Sequence, residues 1–412
     1  MSSKVPSARS PSGALHVWWY RPDYLVLGFL IPILVALWFI APGLLRERNV
    51  TDFFTFKRMC GLGALLIVLA FASHIGARTR VAAVRALPAY WLDVFFGLSI
   101  FGYTVWFIPI FKNFGVVAAI MAGGQGAVFE ARSLLATLPG ITTLTQADIA
   151  FVCLLAIRVS DHHKLCTRTK WQLGLIFALA AFRTIVMSER LALIEIVLPS
   201  VPIFVGSRYG KLLAGRKVLW MFFPYFGILL LLLFFGVTEF LRSWVNFYEW
   251  TGQGFWSFIV NRLATYYVYA INSGLGAVAM YSYHYNFPVY SFDWLLRFPG
   301  VGSWISDGLR PFLPTQRVLD VYADPQFNNI SGLAGLVWDF SWGGAAIVSI
   351  ISGIVFGRAW KSLVTRAGYL RYFYGIFFTG LFDLLREPYL GQGRAFVPIA
   401  LISLAILVRK SI

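Results

Sequence analysis

Long apolar runs alternate with short polar ones along the whole chain. Ten windows, 24–45, 59–77, 89–111, 141–157, 171–187, 190–206, 218–237, 334–357, 370–385 and 395–408, are apolar enough to span or nearly span a bilayer. A helix needs about 20 apolar residues to cross roughly 30 Å of hydrocarbon, since each residue rises about 1.5 Å. The pattern therefore predicts an all-α polytopic membrane protein of about ten transmembrane helices. The shortest windows leave that count open by one or two. The first run is too long, and ends too bluntly, for a cleaved signal peptide, so it reads as a retained first helix. No internal repeat or low-complexity tract interrupts the alternation.

Ten spans return the chain to the side on which it started. With both termini in the cytoplasm, 20 of the 35 Lys and Arg fall in cytoplasmic loops, as the positive-inside rule requires. Residues 1–20 are polar and contain Ser and Pro, so they read as a mobile tail within a cytoplasmic segment 1–23. Two external segments remain, 112–140 and 238–333, within a single integral domain covering 1–412. The second is too long for a connector. Its stretch Phe255 to Met280 is apolar enough to form helices lying on or dipping into the membrane. Later prolines and glycines, from Pro288 to Pro325, favour short helices joined by turns over one long rod.

Composition narrows the function classes. At 58% hydrophobic, the 412-residue chain is too apolar for a soluble globular protein. Its net charge of +17 could point to nucleic acid, but the charge sits in short loops between apolar runs, and membrane orientation accounts for it better. Cys60, Cys153 and Cys166 show no metal-ligand spacing and no disulfide framework. The chain has no phosphate-binding Gly-rich loop ending in Gly-Lys-Ser/Thr, no His-Glu-x-x-His and no Asp-x-Asp pair. No metal and no cofactor are expected.

The basic residues outside the cytoplasmic set are the most informative. They comprise about a dozen arginines and only two lysines. A guanidinium is a rigid fork of donors matched to phosphate, whereas an ammonium is a strongly hydrated point charge. The bias points to a phosphorylated ligand at the outer face. The first cluster runs from Phe182 to Arg190, where Arg183 lies inside an apolar run and Glu189 and Arg190 follow it. A charge at that depth faces a polar cavity or an acidic partner such as Glu189 or Glu195. The second runs from Asp383 through Arg386, Glu387 and Pro388 to Arg394, where a proline and two glycines make a tight turn with backbone amides free to join two guanidiniums. That suits a diphosphate, though a solvated hairpin pairing its own charges would read the same way. Within the large loop, Arg262 and Arg310 are the better candidates for the same anion.

Candidates for a proton acceptor are Glu189, His284 and Asp339. Asp339 falls in the outer half of the eighth span, where it either pairs with an arginine or serves as a base. Aromatic residues fill 23 of the 96 positions in 238–333, well above the 17% of the whole chain. An interfacial belt would explain this. So would a carbohydrate platform, because a sugar's C–H face packs on aromatic rings, and Trp250, Tyr283, Tyr285 and Trp304 are the glycan-binding candidates.

The stretch Asn328-Asn329-Ile330-Ser331-Gly332, leading into Trp338-Asp339-Phe340-Ser341-Trp342-Gly343-Gly344 and on to Gly353 and Gly357, resembles the late segment of bacterial oligosaccharide repeat-unit polymerases, the O-antigen polymerases of the Wzy type. In that family an Asn-rich loop end precedes a helix opening with Asp-Phe-Gly-x-x-Gly; here Ser341-Trp342 stand between Phe340 and the glycines. The Ser-Glu-Arg turn after the fifth span and the single large loop before the last spans are also similar. The resemblance implies a GT-C-like architecture in the bacterial inner membrane with its site facing the periplasm, and a metal-independent, inverting glycosyltransferase. It would move a glycan from undecaprenyl diphosphate to the next lipid-linked repeat unit, with lipid-linked oligosaccharides, membrane lipids and a chain-length regulator as partners. An O-antigen ligase acting on lipid A core, or a flippase for the same lipid, would share many of these features. In the polymerase reading, Arg183, Arg190, Arg386 and Arg394 hold the diphosphate.

Overall fold

The computed structural model describes residues 17–122, 126–135, 138, 140–161, 164–187, 189–205, 217–240, 244, 252, 254–280, 288–302, 304–305, 327 and 329–411. Every regular element among them is helical. The main helices are α1 (Pro22–Glu47), α2 (Phe56–Arg78), α3 (Tyr90–Lys112), α4 (Phe114–Met121), α5 (Ala127–Leu134), α6 (Thr142–Ser160), α7 (Thr167–Met187), α8 (Leu191–Val205), α9 (Phe223–Glu239), α10 (Phe255–Met280), α11 (Gly332–Val364), α12 (Tyr374–Asp383) and α13 (Gly393–Ser411). Six of them, α1, α2, α3, α6, α7 and α11, are long and apolar enough to cross a membrane. This is the architecture of a helical, multi-pass membrane protein.

All ten apolar windows fold as helix, but four of them give shorter or less apolar elements than the six spans. α8 has 15 residues with Pro199 and Pro202 inside it, α9 has 17, and α12 has 10 because a 3-10 turn at Tyr369–Tyr372 takes up the start of its window. A proline removes one amide from the helix ladder and crowds the preceding turn, so α8 combines high apolarity with a weakened backbone.

The tightest packing in the bundle joins α2 to α11. Ser73 Oγ donates to the Gly353 carbonyl at 3.0 Å, and a Cβ placed on Gly357 would stand 1.9 Å from the Ser73 carbonyl oxygen. Small residues allow this backbone-to-backbone approach, which is how helices associate where lipid removes the hydrophobic drive between them. Gly353 and Gly357 thus have a packing role. α11 itself is two helical pieces joined at Ser341, whose φ of 60° and ψ of 174° are non-helical. That backbone region belongs almost entirely to glycine.

Two expectations about the chain's organisation change. The tail does not extend to residue 20: Trp19 and Tyr20 are buried, Trp19 donates from Nε1 to the Trp220 carbonyl at 2.6 Å, and Tyr374 donates to the Tyr20 carbonyl. Nor does the stretch Phe255 to Met280 lie at the surface of the bundle. α10 is one helix of 26 residues, and Val268, Tyr269, Ile271 and Leu275 along it are buried almost completely. Asn272 fixes it to the α1–α2 loop, accepting from the Phe53 amide and donating to the Thr51 carbonyl, both at 2.8 Å. The Ser331 amide at the start of α11 donates to the Ala270 carbonyl at 2.9 Å. The polar Asn and the small Ser and Gly residues that lower the hydropathy of this stretch are therefore its packing contacts.

Candidate functional site

Local sequence explains how charges come to gather at one end of the bundle. Apolar runs carry α7, α9 and α12 inward, and each ends where ionisable residues begin. Arg183 lies one turn before the end of α7, Glu189 and Arg190 form the turn into α8, Glu239 closes α9, Asp383 closes α12, and Arg394 opens α13. Arg132 on α5 joins them by donating from Nε and Nη2 to the Met187 carbonyl at 2.9 and 2.6 Å. A cation at that position complements the carbonyl end of α7.

Three ion networks result. In the first, Arg183 donates from Nε and Nη2 to Glu189 Oε2 at 2.9 and 2.7 Å. Arg394 Nη2 lies 3.1 Å from Glu189 Oε1, and Arg394 Nη1 lies 3.5 Å from Glu195 Oε1. The Arg183 guanidinium also lies over the Trp106 ring at 4.6 Å. In the second, Glu239, fully buried, accepts from Arg190 and lies 2.8 Å from Arg262 Nε, while Arg190 sits 3.8 Å over the Phe235 ring. In the third, Arg386 grips Asp383 in a two-pronged contact at 2.7 and 2.8 Å and also reaches Glu387, whose other oxygen accepts from Gln392 at 3.0 Å. Five guanidiniums (Arg183, Arg190, Arg262, Arg386, Arg394) thus meet five carboxylates (Glu189, Glu195, Glu239, Asp383, Glu387), and Arg132 on the Met187 carbonyl brings the formal balance to +1.

Burial acts against ionisation of Glu189, but the Arg183 and Arg394 guanidiniums outweigh it and hold the carboxyl below its ordinary range. Glu387 follows the same logic: burial opposes its charge, yet Arg386 and Arg394 bring it down to about 2.

The networks enclose a cavity of about 270 Å³. Its polar wall includes Arg132, Glu189, Arg190, Glu195, Asp383 and Arg386; its apolar wall includes Leu191, Ile194 and Leu198 of α8, Leu231 and Phe235 of α9, Leu263 of α10 and Phe382 of α12. Leu198 and Leu231 stand about two helical turns from the charged ends of their helices, so the cavity runs from a charged end into apolar surroundings.

Of the candidates named from sequence, Glu189, Arg190 and Arg386 line this cavity. Arg183 and Arg394 stand behind Glu189 and Glu195 and hold them, and Arg262 stands behind Glu239. Asp339 lies elsewhere. It pairs with no arginine among the described residues; its carboxylate accepts from the Ser291 amide and hydroxyl, both at 2.7 Å, and from the Tyr290 amide at 3.3 Å. It therefore anchors the 288–302 segment, which also stacks Trp294 on Phe396 of α13 with ring centroids 3.8 Å apart. Trp304 is 80% exposed and takes no part in the cavity wall. His284, Arg310, Trp250, Tyr283 and Tyr285 lie outside the described residues.

The turn between α12 and α13 corrects a further expectation. Five of its amides are already occupied: those of Arg386 and Glu387 donate to the Asp383 carbonyl, that of Tyr389 to Glu387, that of Gly391 to Pro388 and that of Gln392 to Tyr389. Nor is it a solvated hairpin, since Leu385, Glu387 and Tyr389 are buried. Arg132, Glu195 and Glu239 were not among the sequence candidates for the site. Glu195 and Glu239 each interrupt or end an apolar run, the same signal that singled out Arg183, and Arg132 carried only its place in the external segment.

No protein-family profile, no curated protein and no solved structure matches this chain.

Proposed function

We propose that the cavity takes the diphosphate head and first lipid units of a lipid-linked glycan, and that the protein is a membrane glycosyltransferase polymerising such units. The observation that carries this reading is the amphipathic cavity itself. Guanidiniums from segments far apart in sequence, Arg132, Arg190 and Arg386, share one cavity whose remaining wall is largely Leu and Phe. A soluble phosphate ester has no use for the apolar shaft, and a neutral lipid has no use for the arginines. An amphiphile with an anionic head uses both.

A guanidinium has five donors, and a two-pronged carboxylate contact occupies two, so a paired arginine keeps donors for a phosphate. The paired acids give the site a further property. They hold each guanidinium in a set direction before substrate arrives, and a preorganised donor stabilises charge as it develops on the departing diphosphate. In this reading Arg190 and Arg386 contact the diphosphate, while Arg183, Arg262 and Arg394 orient the acids between them. The donor would be undecaprenyl diphosphate-linked oligosaccharide, used on the periplasmic side of a bacterial inner membrane with both termini in the cytoplasm.

The test is to incubate the purified protein in lipid nanodiscs with a lipid diphosphate-linked repeat unit and resolve products by length. A ladder of multiples supports polymerisation. A single addition, seen only when lipid A core is supplied, would make the protein a ligase, and movement of the intact lipid between leaflets without a covalent product would make it a transporter.

A further inference from the structure

Three carboxylates line the cavity, and they differ in what occupies their lone pairs. Both Asp383 oxygens accept from Arg386. Glu189 accepts two bonds from Arg183 on Oε2, with Arg394 against Oε1. Glu195 is 2% exposed, yet its Oε1 makes no hydrogen bond among the described residues, and the nearest cation, Arg394 Nη1, stands 3.5 Å away and is also without a hydrogen bond. A buried carboxylate oxygen left this way has a high affinity for a donor. The two clamped carboxylates already have their donors.

We propose that Glu195 is the general base of the site, receiving the proton of the acceptor hydroxyl. This rests on the glycosyl-transfer reading above and names the residue within it. The acceptor O–H donates to a Glu195 oxygen. As its oxygen forms a bond to the donor's anomeric carbon, the proton passes to the carboxylate and the bond from that carbon to the diphosphate oxygen breaks, its electron pair leaving with the diphosphate. The products are one glycosidic bond with inverted configuration, a free lipid diphosphate and a protonated Glu195, which returns its proton to water. Arg394 of α13 is a positioning residue, holding the carboxylate at ion-pair distance without hydrogen-bonding Oε1. The other ionisable groups near Glu195 are Arg183 of α7, Glu189 of the turn, Asp148 of α6 and Tyr389 of the α12–α13 turn.

The experiment compares wild type with Glu195→Gln, Glu195→Asp and Glu195→Ala in nanodiscs, using the lipid diphosphate-linked repeat unit and following turnover from acid to alkaline pH. Glu195→Gln should lose on the order of 100- to 10,000-fold in kcat with KM for the donor little changed. Glu195→Asp should keep part of the rate with a displaced acid limb in its pH profile, and added formate should restore rate to Glu195→Ala and not to wild type. A purely structural role would move KM and thermal stability and would show no formate rescue. Glu195→Gln activity above about a tenth of wild type would overturn the assignment and leave the transferase reading standing. Absence of any glycosidic product from wild type would remove both.

Discussion

Replacing Arg183 with methionine tests whether the first ion network is a buried electrostatic unit or a set of solvated contacts. The Arg183 and Glu189 side chains are 6% and 20% exposed and share two hydrogen bonds at 2.7 and 2.9 Å. Breaking a buried pair by removing one member costs roughly 3–5 kcal/mol, because a desolvated charge is left behind. Glu189 keeps Arg394 at 3.1 Å, which places the expectation at the low end, about 3 kcal/mol. Removing both charges in Arg183→Met/Glu189→Gln should return part of that loss, giving a coupling energy of about 2 kcal/mol in a double-mutant cycle. Equilibrium unfolding in mixed micelles supplies the four free energies. The pH dependence fixes the sign independently. The folded carboxyl of Glu189 titrates below the unfolded one, so its stabilisation is complete above the unfolded pKa of about 4.3 and fades as pH falls through the folded value. Methionine at 183 brings the folded value back toward the ordinary one, so the gap between wild type and variant should be widest near neutrality and close in acid. A coupling below about 0.5 kcal/mol, the range of exposed pairs, or a gap that does not narrow in acid, refutes the argument.

Ser341→Gly should raise stability by about 1–3 kcal/mol, read as a higher unfolding midpoint, because glycine removes the strain of a φ of 60° with a ψ of 174°. Gly357→Leu should abolish monodisperse protein on size exclusion, since even a Cβ there meets the Ser73 carbonyl oxygen at 1.9 Å. Arg386→Lys should lower glycan synthesis about 100- to 1,000-fold, as for loss of one preorganised anion donor, because an ammonium cannot hold Asp383 two-pronged and present further donors in a fixed plane. Full activity in that variant would remove Arg386 from the site.

The helices were legible because a period of apolar residues depends on nearby sequence alone: every apolar window became helix, and the stretch Phe255 to Met280 became α10 with those bounds. Arg183, Arg190, Arg386 and Arg394 group as one anion site from sequence, but nothing in the sequence says which of them face a common space. Glu189, the nearby partner of Arg183, is legible there, but Arg190 pairs with Glu239, 49 residues away, and no spacing rule links a guanidinium to so distant an acid. Asp339 shows the opposite failure. A carboxylate in an apolar run looked like half of an ion pair, and it is answered instead by the Tyr290 and Ser291 amides, donors that every residue carries and no sequence pattern flags.

The seam of Gly353, Gly357 and Ser73 leaves no large side chain between two backbones to slide or re-pack, which makes α2 and α11 a stiff keel. α9 is seated differently. Phe223 on Trp19 holds one end, Phe235 on Tyr266 and the buried Glu239 ion pairs hold the other, and Leu229, Leu230 and Leu233 between them are 46–59% exposed. α9 thus carries exposed leucines beside Leu231 and Phe235 of the cavity wall, so a long hydrocarbon tail held in the proposed site would have an apolar helix to follow outward.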